Sequence, residues 1–270
     1  MKELVQKFRE IQHREGYLLA LRSAHSFVRG RIAQSNFSQG ARKFNFYTKS
    51  RYIIQKKYYA CPAQPYKPIF IDPKKITFCN FQFHSTWGLG QIKGGGWDTD
   101  EHTYSIDNDW IYKGLKQRFE EGKNWEDTAY VDRAKREFQT DESFMGYRNI
   151  EEFLNKRCYF VDSLYQNIRE NGYRANFDAE HKVPDADKKG NEKKYKHQLE
   201  PLVAIGRKGN IYLRSGFHRL TIAKMLEIDS IPVNVLGRHR IWQNTRDQIS
   251  RGVVELSGVS RNHPDLLDIE

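Results

Sequence analysis

Asn210 to Leu236 reads NIYLRSGFHRLTIAKMLEIDSIPVNVL, and this stretch decides the fold. Ile211 to Leu213 is a short run of β-branched and aromatic residues, which predicts a strand. Arg214-Ser215-Gly216-Phe217-His218-Arg219 follows as a polar turn containing a glycine. Leu220, Ala223 and Leu226 then recur at helical spacing, and Ile231 to Leu236 is almost wholly apolar, a second strand. Strand, turn, helix and strand with nothing longer between them predicts a βαβ connection, with the first strand's end pointing at a helix N-terminus. Unpaired N–H groups and the positive end of the macrodipole favour anions there. Ser215, Gly216, His218 and Arg219 add a hydroxyl, close backbone approach, an imidazole and a guanidinium, which is the composition of a phosphate site.

The same residues carry a resemblance. Gly216-x-His218-Arg219, a helix with Ala223-Lys224, and then Ile231-Pro232-Val233 resemble the ParB/sulfiredoxin superfamily. Its members include chromosome-partition nucleotide-binding domains, sulfiredoxins and a free serine kinase. Pro68 to Ile76 is similar to the strand that opens such domains. Asp162 to Tyr173, with Asn171-Gly172, is similar to their Asn-Gly helix end, and Leu199 to Val203 to the strand after it. The resemblance spans about Pro68 to Leu236, broken by an insertion. It implies an α/β (α+β) fold: a small mixed sheet with helices, a helical insertion at about 105–148, and a basic helical N-terminal arm outside the match. It also implies nucleotide or substrate phosphate at the turn. Phe217 stands where sulfiredoxins carry the reactive Cys, and without a thiol the attack on a sulfinyl phosphate is excluded. Partition proteins carry Glu-Arg-Arg there, so His218 leans toward the small-molecule kinase branch.

Charge divides the 270-residue chain unevenly. Residues 1–60 hold 13 Lys and Arg against 3 Glu and no Asp, so +10 of the formal +11 lies there, and the rest is near neutral. Such an arm suggests an anionic partner. Leu4, Phe8 and Ile11, then Tyr17, Leu21, Ala24 and Val28, predict two amphipathic helices. From Arg42 to Tyr59, basic residues interleave with Phe44, Phe46, Tyr47, Tyr52, Tyr58 and Tyr59. That pattern serves single-stranded nucleic acid, an anionic membrane surface, or packing onto the chain's own domain, and the sequence leaves all three open. Cys61, Cys79 and Cys158 are scattered, as expected of reduced thiols, and give no zinc spacing. With no bilayer-length apolar run or signal peptide, the expectation is a cytoplasmic protein, or one peripheral at a membrane through its arm.

Three prolines, Pro62, Pro65 and Pro68, mark entry to a domain expected over 61–240, with a helix and tail over 241–270. Five glycines between Gly88 and Gly96 precede Trp97-Asp98. Gly95 and Gly96 permit close approach of backbone to a ligand, Trp97 offers a stacking plane and Asp98 a carboxylate, so this segment is expected to form the second wall of the site. Asn124 is expected to cap a helix, with Asp127 at its third position, and Asn149 a longer one closed by Asn171-Gly172. The charged loop 178–196 offers His181, Asp185 and Asp187, a poor metal set. Arg238 and His239 end the second strand where α/β ligand sites lie.

These pieces fit phosphoryl transfer, which is mostly positioning and neutralisation of oxygen charge. The expectation is a nucleotide-dependent kinase acting on a hydroxyl of a small molecule or of a lipid- or RNA-attached group. Ser215, Gly216, His218, Arg219, Gly95 and Gly96 would bind phosphate, with Asp98 and His218 as the catalytic pair. Trp97, Glu200, Arg238 and His239 would contact substrate, and ATP or another nucleotide would bring Mg²⁺. The alternatives are a nucleotide-gated partition-like DNA-binding protein, for which about 34 residues after Leu236 are too few, and a nuclease.

Overall fold

Strand Ile231–His239 is the longest in the protein, and all nine of its residues are buried. A strand covered on both faces reads as the continuous apolar run that Ile231 to Leu236 shows. The computed structural model describes residues 41–176, 199–253 and 262–269, which fall in the unit Gly40–Glu270. In chain order the elements are α1 (Ala41–Tyr58), β1 (Ile69–Ile71), β2 (Phe78–Asn80), β3 (Gln91–Lys93), β4 (Thr103–Ser105), α2 (Trp110–Phe119) and α3 (Ala129–Thr140). A helical turn at Ile150–Glu152 (α4) and a π-helical segment, Phe153–Cys158, lead into α5 (Tyr159–Asn171). Then come β5 (Leu202–Ile205), β6 (Ile211–Ser215), α6 (Phe217–Met225), β7 (Ile231–His239) and α7 (Arg240–Ser250).

The fold is α/β, with a seven-stranded mixed sheet in the order β1-β7-β5-β6-β2-β4 and β3 also on β7. β1 and β3 share one side of β7, pairing with its first and second halves. One packed face of the sheet includes Val203, Leu213, Val233 and Trp242. The other includes Phe44 of α1 with Phe83, Trp97, Tyr212 and Leu236. Between the sheet and the insertion lies α6. Its Phe217, Leu220 and Ala223 join the sheet core, while Ile222 joins the insertion's own core around Leu115, Tyr130 and Phe153.

Several sequence expectations change. β6 and β7 do not form a βαβ unit: β5 lies between them, antiparallel to β6 and parallel to β7, so β6 and β7 run in opposite directions. Part of the arm expected over 1–60 packs with the domain, because α1 docks on it through Phe44, Thr48 and Gln55, all buried. Thr128 rather than Asn124 caps α3, its side chain accepting from Val131 N–H. Asn149 does cap the next helix, accepting from Glu152 N–H at 2.8 Å, and Gly172 closes α5 at φ 73°. The helices expected within residues 1–32 and the loop with His181, Asp185 and Asp187 lie outside the described residues.

Candidate functional site

Because β6 and β7 are antiparallel, the residues that the sequence placed in one pocket divide between two edges of the sheet. Ser215 and Asn234 both pair with Leu202, at one edge. Ile211 and Arg238 both pair with Ile205, at the other. From Ile211 to Ser215 is roughly 13 Å of extended chain.

The far edge is a closed polar structure. Asp98 accepts from Arg207 Nη2 at 2.6 Å, from its Nε at 2.9 Å and from its backbone N–H at 2.7 Å. Burial alone would raise the Asp98 carboxyl. The hydrogen bonds from Arg207, with His239 and the Arg207 charge, outweigh burial and hold it below the ordinary carboxylate range. A carboxylate so engaged is a poor base, and it lies at the wrong edge to serve the Gly216 turn. Trp97 is buried among Phe83, Tyr212 and His239 and offers no open stacking plane. The Gly95 carbonyl accepts from Arg207 Nη2 and from His239 Nε2, each at 2.9 Å, and the Gly96 carbonyl from Thr99 Oγ1. Arg238 is buried against Asp265, with Nε to Oδ2 at 2.8 Å, and His239 caps α7 by accepting from Ile241 N–H. Gly95, Asp98, Arg238 and His239 are thus engaged with partners of their own, and the Trp97 carbonyl accepts from Asn80 Nδ2 at 2.7 Å. They hold the end of the sheet together.

At the near edge the turn forms as its sequence requires. Gly216 has φ +93°, and a Cβ there would stand 2.7 Å from Pro201, so glycine is needed twice over. The first helical hydrogen bond of α6 runs from Leu220 N–H to the Gly216 carbonyl at 3.0 Å. The N–H groups of Phe217, His218 and Arg219 therefore have no intrahelical acceptor, Gly216 offers no side chain to cap them, and no acid occupies the first turn.

The two polar side chains of that turn face different neighbours. Arg219 is 3.1 Å from Glu200 and donates to the Leu199 carbonyl at 2.8 Å. Glu200 also accepts from Asn176 N–H, and its own N–H donates to Asn234. Tyr173 stands beside this pair, with burial first among the causes that push its hydroxyl to about 12. Glu200 and Arg219 thus neutralise each other, and Glu200 is not a spare substrate ligand.

His218 meets the insertion instead. Tyr130 Oη lies 2.8 Å from His218 Nε2, and Arg157 donates Nε–H to that same hydroxyl at 2.9 Å. Arg157 Nη2 is 3.3 Å from Nε2. A guanidinium only donates, so the Tyr130 oxygen accepts from Arg157 and its own proton goes to His218. Burial pushes the Tyr130 hydroxyl up to about 12, so that proton stays in place. Nε2 is therefore the acceptor, and Nδ1 carries the ring proton. His218 keeps some exposed surface, yet burial of its ring and then the Arg157 charge lower its pKa well below the ordinary value. The imidazole is neutral at physiological pH, with Nδ1–H its outward donor.

Arg214, two residues ahead of Gly216, was not singled out from sequence. Its Nε donates to the Phe83 carbonyl at 2.7 Å and its guanidinium lies 5.3 Å from the Phe81 ring centre. Among the described residues no carboxylate pairs with it, and burial lowers its pKa. Phe81 stacks on Phe217, the first residue of α6, at an interplanar angle of 10°. Phe81 and its neighbour Tyr104 remain about half exposed. A guanidinium without a carboxylate among the described residues, helix N–H groups without an intrahelical acceptor and exposed aromatic faces thus meet at one edge. Among the described residues no group of three or more His, Cys, Asp or Glu gathers to hold a metal.

Compared with protein-family models, curated proteins and solved structures, the chain matches none, so the ParB/sulfiredoxin-like resemblance rests on its motif residues alone.

Proposed function

We propose that this protein is a nucleotide-dependent phosphotransferase whose phosphates bind at the mouth of α6. The acceptor is a hydroxyl of a small molecule or of a lipid- or RNA-attached group, and an anionic partner is held through the basic N-terminal part of the chain. The observation that carries this reading is Arg214: a partly desolvated cation with no carboxylate among the described residues, next to unpaired helix N–H groups. Burying a charge without a counter-charge is costly, and an anionic ligand removes that cost. Phe81 and Tyr104 supply faces for a base, and the three N–H groups with Arg214 supply donors for phosphate oxygens. His218 contributes Nδ1–H as a neutral donor to a phosphoryl oxygen, fixed in that tautomer by Tyr130 and Arg157. Arg219 and Glu200 shape the turn and do not bind phosphate.

Among the described residues, the carboxylate beside the turn is Glu200, which is taken up by Arg219 and Asn176 and so does not fit the Mg²⁺ expected with a nucleotide. No step is assigned to a metal, and no residue here replaces Asp98 as the base.

Thermal-shift titrations with ATP, ADP, CTP and GTP test the proposal. At least one should stabilise the protein, and Arg214→Gln should weaken that nucleotide roughly tenfold or more, the worth of one charge-assisted hydrogen bond. Arg214→Gln should change the stability of the unliganded protein by no more than about 1 kcal/mol, because loss of the hydrogen bond to the Phe83 carbonyl is offset by removal of a partly buried charge with no carboxylate among the described residues. Incubation of the stabilising nucleotide with candidate hydroxyl acceptors should release its diphosphate. No stabilisation by any nucleotide would overturn the proposal, and stabilisation by CTP only with DNA present would favour the partition-like alternative.

A further inference from the structure

We propose that the outward face of α1 lies on an anionic lipid surface, with its isoleucines and phenylalanine at the headgroup boundary. This narrows the anionic partner proposed above to one class and is independent of the nucleotide site. α1 holds 18 residues, ARKFNFYTKSRYIIQKKY, without a single acid. Phe44, Thr48, Arg51 and Gln55 recur at i, i+4, i+7 and i+11 and bind the domain. Phe44 is buried, Thr48 Oγ1 accepts from Leu89 N–H, Arg51 donates to the carbonyls of Leu89 and Trp87, and Gln55 donates to that of Gly90.

At 100° per residue, Phe46, Ile53 and Lys57 point directly away from that docked face, with Lys49 beside them. The exposures agree: Phe46 is 65%, Ile53 61%, Ile54 51% and Tyr58 71% exposed, and Lys49, Lys56 and Lys57 are all exposed. A domain-facing stripe thus backs onto a solvent-facing stripe of large apolar side chains flanked by lysines.

A helix docked on the domain by one face, with Phe46, Ile53 and lysines on the other and no acid, has the chemistry of a basic interfacial helix. Charge complementarity points to an anionic partner, and side-chain type selects among anions. Ile53 and Ile54 have no π-face on which a base can stack, so they gain little from single-stranded nucleic acid. They gain from the acyl boundary as they do from any apolar medium. No described helix is long and apolar enough to cross a membrane, so α1 is placed on the surface rather than through it.

Cosedimentation of the full chain tests the assignment, using vesicles of phosphatidylcholine alone and of phosphatidylcholine with phosphatidylserine, and a single-stranded RNA as competitor. Binding should require phosphatidylserine and weaken with salt. The double variant Phe46→Ser, Ile53→Ser should lose about tenfold or more in partitioning, from the apolar area it removes. Lys57→Ala should lose about fivefold, the worth of one basic residue near such a surface. Both variants should keep the wild-type melting temperature and nucleotide response, because these side chains touch neither core nor turn. Unchanged binding in the serine variant overturns the assignment. RNA binding without vesicle binding overturns it in favour of nucleic acid and leaves the anionic-partner reading standing. Binding to neither removes both and leaves the nucleotide site to be judged separately.

Discussion

Neutralising Asp265 should be among the most damaging single changes at the far edge of the sheet. Its carboxylate is 1% exposed and accepts from Arg238 Nε and Trp242 Nε1, each at 2.8 Å, with Arg246 Nη1 3.5 Å away. Arg238 and Arg246 are themselves buried, and Arg246 has Asp268 as a second partner at 2.9 Å. Asp265→Asn therefore leaves Arg238 as an unpaired cation in the interior. Breaking a buried pair by removing one member costs about 3–5 kcal/mol. At roughly 2–4 °C per kcal/mol for a domain of this size, the melting temperature should fall by roughly 10 °C or more.

The assay is denaturant and thermal unfolding of wild type, Asp265→Asn, and the apolar double variant Arg238→Met, Asp265→Leu. The double variant should recover much of the loss, because a buried ion pair is worth little more than a well-packed apolar pair. pH adds a second readout. Burial alone would raise the Asp265 carboxyl, but the Arg238 charge and hydrogen bonds, Arg246 and Trp242 outweigh it and lower the pKa. A depressed folded pKa contributes stability that is present above the unfolded value, about 3.9, and lost as pH falls through the folded one. That acid-dependent component should vanish in both variants. Two results would refute the reasoning: a neutral Asp265→Asn, or a folded double variant that no longer responds to nucleotide. The second would mean that Arg238 reaches the ligand after all.

Asp98→Asn should lower thermal stability and leave nucleotide binding and any transfer unchanged; lost turnover with unchanged stability would return Asp98 to the active site. His218 and His263 both have pKa values lowered chiefly by burial, so below about pH 6.5 the unfolded chain takes up protons that the folded one refuses. Stability should be full above that pH and fall below it by up to about 1.4 kcal/mol per pH unit for each histidine, and urea unfolding of wild type and His218→Gln at two pH values should show a shallower slope in the variant. Between pH 7 and 8 phosphate-ester affinity should stay flat, since the charge at the turn comes from Arg214 and helix N–H groups, and it should fall toward pH 6 only as the ester itself takes up a proton, with a pKa of about 6. Gly237→Ala should destabilise by roughly 1–3 kcal/mol or more, because its Cβ would stand 2.1 Å from the fully buried Phe83 ring. Phe83→Leu in that background should restore part of the loss, and a neutral Gly237→Ala would show slack in the core.

Much of the chain between Asn210 and Leu236 was legible because its periods are unambiguous: a β-branched run, a glycine turn, a helical stripe and a fully apolar strand. Strand direction was not legible from those periods. A helix between two strands fits βαβ, and the arrangement found here differs only in that β5 inserts between them. The signal was present just upstream. Gly206-Arg207-Lys208-Gly209 sits between two apolar runs and forms a hairpin closed by Gly206 N–H to the Asn210 carbonyl at 2.9 Å, which makes β5 and β6 antiparallel. Reading that hairpin first would have sent Arg238 and His239 to the opposite edge. Tyr130 and Arg157 could not have been found this way. They lie 88 and 61 residues from His218 in the chain, Tyr130 in the helical insertion and Arg157 in the π-helical segment after it, and no local pattern reports their packing. Arg214 was visible as a residue but not as a candidate, because what distinguishes it is the lack of a carboxylate partner, a property of three-dimensional neighbours.

That property is also what separates the two edges as sites. At the far edge the principal cations meet carboxylates: Arg207 meets Asp98, Arg238 meets Asp265, and Arg246 meets Asp268. Such a network is already neutral, so an anion arriving there gains no attraction and must break existing hydrogen bonds. At the near edge Arg219 is cancelled by Glu200, and His218 is kept neutral by burial and then by the Arg157 charge. What remains among the described residues is the Arg214 guanidinium and three backbone N–H groups around a glycine, with the Arg157 guanidinium beside His218. The residual field is positive and small, which suits a ligand whose charge is spread over several oxygens and whose binding is shared with aromatic faces. In the proposed function the motif that looked richest in charge therefore binds through the arginine two residues ahead of its glycine.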